Sequence, residues 1–184
     1  GSCASSLAGR GVKVGVVAAA TSVSSSPGMP GVCHAPRVID GRMFPPVGAG
    51  GVQVISIGMF VPAGQAVIWR GPMLHRALQQ FLADVFWGDL DVLLIDMPPG
   101  TVYVAISIAQ RLPTSEFLCV TTPQVAAADV SERAGSIVSQ TNQNVIGVVE
   151  NMSFLPQPDG SRLEIFGAGG GQSVSKRLTA QLGY

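Results

Sequence analysis

The sequence predicts an α/β fold, a doubly wound and mostly parallel sheet with helices on both faces. Five short runs rich in β-branched residues end in polar or turn residues, and stretches of helical spacing lie between them. Strands alternating with helices build βαβ units and hence parallel sheets. With 184 residues, 47% of them apolar, one ordinary core suffices without disulfides or metals. Residues 1–184 are therefore expected to form a single domain.

The first run covers residues 12–17 and leads into Ala18-Ala19-Ala20 and a nearly featureless Ser-rich stretch. That stretch belongs to a long connection, residues 21–51, rich in Ser, Pro and Gly, and loops of that length usually carry function or mobility. The second run is 52–57. Pro72 opens a helix, where its missing N–H costs nothing; Leu74, Leu78, Phe81, Leu82 and Val85 give that helix an apolar face ending near Trp87-Gly88. The third and fourth runs are 91–96 and 117–121. Residues 125–140, with their alanines and charges, predict a helix lying on the sheet, and 144–150 predict the fifth strand. Asp159-Gly160, flanked by Phe154-Leu155 and Leu163-Glu164-Ile165-Phe166, marks a hairpin turn. The Gly-rich residues 167–171 read as a flexible turn before a helix over 172–182.

Composition excludes some functions. Eleven basic and eleven acidic side chains cancel, removing the field that would draw in nucleic acid or an anionic membrane. The apolar run 14–20 is far below the about 20 residues a membrane span needs, and no cleavable leader opens the chain, so the expected location is cytoplasmic. Only 12% of residues are charged, a surface that suits a partner. Cys3, Cys33 and Cys119 are odd in number and widely separated, so they write neither a disulfide framework nor a Cys-x-x-Cys metal site. Cys119, within Phe117-Leu118-Cys119-Val120, reads as a small core hydrophobe. His34 and His75 have no carboxylate or cysteine at ligand spacing, and His75 reads as a surface or packing residue.

The chemistry concentrates in Asp91-Val92-Leu93-Leu94-Ile95-Asp96-Met97-Pro98-Pro99-Gly100-Thr101. A buried strand there delivers Asp96 to its C-terminal end, where open α/β sheets bind ligands. A carboxylate in that place can hold Mg²⁺, directly or through water, while phosphates supply the remaining oxygens. An ordinary strand end would look the same over five residues. Asp91 starts the strand, emerges at the opposite edge and reads as a solvated strand-end residue. Gly100 lets backbone approach a phosphate, and the prolines restrict the loop leading to it.

Longer strings resemble a known family. Val54-Ile55-Ser56-Ile57-Gly58-Met59-Phe60, Val67-Ile68-Trp69-Arg70-Gly71-Pro72-Met73, Leu93 to Thr101, Thr121-Thr122-Pro123-Gln124, Gly147-Val148-Val149-Glu150-Asn151-Met152-Ser153 and Phe166-Gly167-Ala168-Gly169-Gly170-Gly171 are similar, in order and spacing, to the Mrp-type (ApbC-type) ATPases. These are iron–sulfur cluster carriers within the MinD/ParA group of P-loop ATPases. The resemblance implies an ATP-binding domain that forms a homodimer with nucleotide at the interface. It puts Asp96 at the Mg²⁺, with Gly100 and Thr101 near the γ-phosphate. Thr122, Pro123 and Asn151 would line the purine pocket, Asn151 because a side-chain amide both donates to and accepts from a base edge. The alternative for Asn151 is a turn or cap after a strand. Arg70 and Gly71 would sit near the partner subunit, or Arg70 would be a surface residue snorkelling its stem.

The chain departs from that pattern in four places. No Gly-Lys phosphate loop is present; Ala8-Gly9-Arg10-Gly11 resembles the end of the helix that follows such a loop, so the domain is expected to be incomplete at both ends, with a further strand after Gly183-Tyr184. If the loop is truly absent, about three charge-assisted hydrogen bonds at ~1.5–3 kcal/mol each are lost, or roughly 10³ to 10⁶ in affinity, and binding is negligible. Ala18-Ala19-Ala20 stands where the family has two aspartates flanking an alanine, and Val102-Tyr103 where Gly-Asp is usual. Gln157-Pro158-Asp159-Gly160 replaces a Cys-x-x-Cys pair, so an iron–sulfur cluster is implied by the resemblance but unsupported by these cysteines.

Three functions follow as expectations: an ATP-hydrolysing carrier or assembly factor that passes cargo to an acceptor protein; a degenerate ATPase fold serving as a scaffold; or a MinD/ParA-like positioning ATPase. The triad of a nucleophile elbow is absent.

Overall fold

The computed structural model describes residues 2–19, 32, 35–60, 71–97, 102–141, 143–179 and 182–183. They fall in two compact units, Gly1–Thr101 and Val102–Tyr184. The expectations for Ala20, Cys33, His34, Arg70, Gly100 and Thr101 lie outside the described residues.

In the first unit, helix α1 (Ser2–Ala8) stops where Gly9 N–H reaches Ser5 O and Gly11 takes a positive φ of 83°. The helix end expected at Ala8-Gly9-Arg10-Gly11 is therefore present, and the chain enters strand β1 (Val14–Ala18). Strands β2 (Arg37–Ile39) and β3 (Arg42–Phe44) form an antiparallel hairpin inside the stretch read only as a long connection. Its turn places Asp40 and Gly41 at φ 50° and 75°, the left-handed pair a tight hairpin requires. Strand β4 (Gln53–Ser56), helix α2 (Gly71–Ala83) and strand β5 (Val92–Asp96) follow.

The three longer strands form a parallel sheet in the order β4-β1-β5. Central β1 is almost wholly buried, the pattern of a strand covered on both faces. Gly15 is needed there because a Cβ would fall 2.5 Å from a Leu90 methyl and 2.9 Å from one of Leu93. Helix α2 buries Leu74, Leu78 and Phe81 as its spacing predicts. It ends at Ala83, four residues before the expected Trp87. Met43 N–H takes the Asp84 carbonyl and Phe86 N–H takes that of Met43, so pairing with β3 draws Val85 out of the helix while keeping it buried.

The second unit runs through helix α3 (Val102–Arg111), strand β6 (Glu116–Thr121), helix α4 (Val125–Gln140), strand β7 (Asn144–Glu150), the short strands β8 (Leu155–Pro156) and β9 (Arg162–Leu163), helix α5 (Gly170–Leu178) and strand β10 (Leu182–Gly183). A parallel sheet has the order β10-β7-β6. Helix α4 turns Ala128, Ser131, Gly135 and Val138 inward, a spacing of three and four that keeps one face on the sheet. Cys119, Ala128, Val148 and Val174 form the core beneath it. The hairpin expected at Asp159-Gly160 is present: Leu155 pairs with Leu163, and Gly160 has φ 83°.

Two helix assignments need correction. Helix α3 was not anticipated. Helix α5 begins at Gly170 rather than Gln172 and ends at Leu178, because Thr179 turns left-handed at φ 52°. Leu182, expected in that helix, instead pairs in parallel with Val148. The strand expected after the last residues thus begins before them.

Candidate functional site

Strand β5 ends at Asp96, whose side chain is exposed. In register beside it is Ala18, and Ala19 N–H donates to the Asp96 carbonyl over 2.9 Å. Ala18 and Ala19 are buried, and β4 contributes Ser56, whose hydroxyl accepts from Gly58 N–H at 3.2 Å. Among the described residues this edge of the sheet offers one solvent-facing carboxylate. An exposed hard oxygen ligand is of the type Mg²⁺ takes when waters and phosphates complete its shell. No group of three or more His, Cys, Asp or Glu set to hold a metal occurs among the described residues. Asp91, at the opposite end of β5, accepts from Lys13 N–H at 2.8 Å. It fastens the strand entry, as expected of a strand-end residue.

The second unit brings three candidates to the C-terminal edge of β6 and β7. Thr121 and Glu150 are paired in register, and Asn151 N–H extends the ladder to Thr121 O at 2.8 Å. Thr122 is half-buried with its hydroxyl on the Gln124 side-chain oxygen, and Pro123 is buried. Asn151 is exposed; its Oδ1 accepts from the N–H of Met152, which has φ 59°. That is turn geometry, and it leaves the amide group facing solvent.

Three residues missed by the sequence reading organise this edge. Glu150 is only 6% exposed, and its Oε2 accepts from Gly171 N–H at 2.5 Å. A carboxylate on a helix's first amides satisfies an orphan donor and faces the positive end of the helix dipole. Gly170 lies so close to the β6 exit that a Cβ would be 2.6 Å from Pro123 O and 2.7 Å from Thr122 O. The Gly-rich stretch is thus a turn only as far as Gly169, φ 91°; Gly170 and Gly171 are helical and buried. The glycines were visible in the sequence, but their partner, twenty-one residues away, was not.

The remaining candidates are structural. Cys119 is buried, and burial pushes its thiol pKa up; Cys3 is exposed on α1. His75 shares a 2.7 Å hydrogen bond with Gln79 one turn along α2. Asp159 caps its own turn, and the hydroxyl and N–H of Ser161 hold its carboxyl below the usual range. Two open concavities of about 540 and 500 Å³ flank α4 and α5, lined by Ser139, Leu178 and Thr179, away from the β6–β7 exits. No helix among the described residues is long and apolar enough to cross a membrane.

Parallel sheets with helices between their strands place the chain in the α/β class. The nucleotide-binding protein in complex with ADP from Archaeoglobus fulgidus superposes with a TM-score of 0.79 at 30% identity, covering 98% of this chain and 71% of that one. The MinC:MinD cell division complex of Aquifex aeolicus shares the fold at a TM-score of 0.55 and 13% identity, covering 97% and 70%. The ParA family model described as NUBPL iron-transfer P-loop NTPase matches residues 2–183, and the chain belongs to that family. The iron-sulfur cluster carrier protein of Mycobacterium leprae is 57% identical over 180 residues, 98% of this chain and 47% of that protein. The Bacillus subtilis protein of the same description is 41% identical over 178 residues, covering 96% and 50%. The chain spans about half the length of these relatives.

Proposed function

We propose that this chain is the nucleotide-handling part of a cytoplasmic, homodimeric iron–sulfur cluster carrier that binds ATP with Mg²⁺ and hands its cargo to an acceptor protein. The observation that carries this is the 57% identity to a protein of that description across nearly the whole chain. The strand ends supply residues for the task. Asp96 would hold Mg²⁺ directly or through water, and the ion, when bound, would neutralise charge on the phosphate oxygens. Gly100 and Thr101 would sense the γ-phosphate, as the family pattern implies. Thr122, Pro123 and Asn151 line the base, with the Asn151 amide donating to and accepting from adenine. The cluster is cargo: Cys119 is buried, and residues 157–160 carry no thiol.

The buried Ala18 and Ala19 beside Asp96 favour a second reading, a degenerate ATPase fold that serves as a non-hydrolysing scaffold. One titration serves for binding. With roughly 10³ to 10⁶ of affinity removed along with the Gly-Lys loop, millimolar binding is the tight end of what remains, so ATP and Mg²⁺ are added to the labelled chain up to about 10 mM while amide resonances are followed. Shifts at Thr122 and Asn151 support nucleotide binding, and phosphate release then separates the two readings. An unchanged spectrum at the highest concentration sinks ATP handling by this chain and leaves the scaffold reading.

A further inference from the structure

We propose that Glu150 is a positioning residue for base recognition, fixing the start of α5 against the β6 exit so that Thr122, Pro123 and Asn151 keep one geometry. The inference rests on the base-pocket assignment above. Glu150 is buried and immediately precedes Asn151, so its backbone and the recognising amide move together. Its carboxylate accepts from Gly171 N–H at 2.5 Å. Its carbonyl accepts from the Ser153 hydroxyl at 2.8 Å, closing the turn beyond Asn151. On the other side, Gly170 is pressed on the carbonyls of Thr122 and Pro123 with no room for a Cβ. One side chain thus ties three segments: the end of β7, the first turn of α5 and, through Gly170, the Thr-Pro exit of β6. None of these contacts requires Glu150 to touch a ligand. Its effect passes through where Asn151 and the Thr122–Pro123 backbone sit.

Such a role predicts an effect on selectivity as well as on stability. Glu150→Gln keeps an oxygen for Gly171 N–H; Glu150→Ala leaves that donor unpaired. Dissociation constants for ATP and GTP would be measured by resonance titration on the wild-type chain and both variants, alongside thermal unfolding. Glu150→Ala is expected to weaken ATP at least fivefold and to bring the ATP-to-GTP affinity ratio towards one. Glu150→Gln should restore both to within about twofold of wild type. A general loss of stability would lower both nucleotides together and leave the ratio unchanged, and that result overturns the proposal. If Glu150→Ala does not fold, the decision passes to Glu150→Gln with Gly171 amide exchange: protection and ratio both kept support the role, whereas protection kept with the ratio lost overturns it. A wild-type chain that binds ATP and GTP equally, or neither, removes the base-pocket assignment and the proposal with it. A preserved ratio in Glu150→Ala removes the proposal alone.

Discussion

Ala18 stands opposite Asp96 in the parallel register of β1 and β5, and the next N–H, of Ala19, donates to the Asp96 carbonyl over 2.9 Å. The backbone here is tied to β1 on one side while the Asp96 carboxylate faces solvent. The side chain is thus free of structural duty, and Asp96→Asn is expected to change stability by no more than about 0.5 kcal/mol. It should abolish the tightening of ATP binding by Mg²⁺. Thermal unfolding and titrations with and without Mg²⁺ check the two halves, and an unchanged Mg²⁺ effect would place the ion elsewhere.

Two tight glycines in the second unit separate rigid from yielding neighbours. A Cβ at Gly170 meets the carbonyl oxygens of Pro123 and Thr122 at 2.6 and 2.7 Å, and backbone cannot step aside cheaply. Gly170→Ala should therefore cost about 1–3 kcal/mol or more. A Cβ at Gly135 meets the Leu178 side chain at 2.3 and 2.8 Å, whose branch can rotate. Alanine within α4 also gains roughly 0.8–1.0 kcal/mol of helix propensity over glycine, so Gly135→Ala should be nearly neutral. Urea denaturation of both variants tests the order, and equal losses would contradict it.

Much of this architecture was legible because periodicity and burial agree. Helix α4 and strand β7 have the expected bounds, 125–140 and 144–150: the helix keeps one buried face at helical spacing, and the strand is a run rich in β-branched residues bounded by polar ones. Helix α3 was illegible: Val102-Tyr103-Val104-Ala105-Ile106 is locally a strand-forming run, and tertiary context overrides its propensity. The β2–β3 hairpin hid among charged residues, although its Asp40-Gly41 turn was a readable signal. Among the candidate site residues, those at strand ends could be placed because a strand's direction fixes which end carries them. Glu150 could not, since its meaning comes from Gly171, which the fold supplies from a distant helix.

Cys119 yields a prediction in pH. Burial within the β6 core raises its thiol pKa above the ordinary value, because a thiolate there would lose its hydration. The folded state then holds its proton to higher pH than the unfolded chain. A group with a raised folded pKa contributes fully at pH below its unfolded value of about 8.5, and that contribution falls as pH climbs towards the folded value. Stability should thus decline above about pH 8.5, and Cys119→Ala should flatten the decline. At neutral pH a thiol reagent should modify exposed Cys3 readily and Cys119 only after unfolding. Denaturation midpoints from pH 7 to 10, compared between wild type and variant, decide the matter: parallel curves would mean that Cys119 is ionised in the folded core as easily as in the open chain, and its packing against Ala128, Val148 and Val174 would need revision.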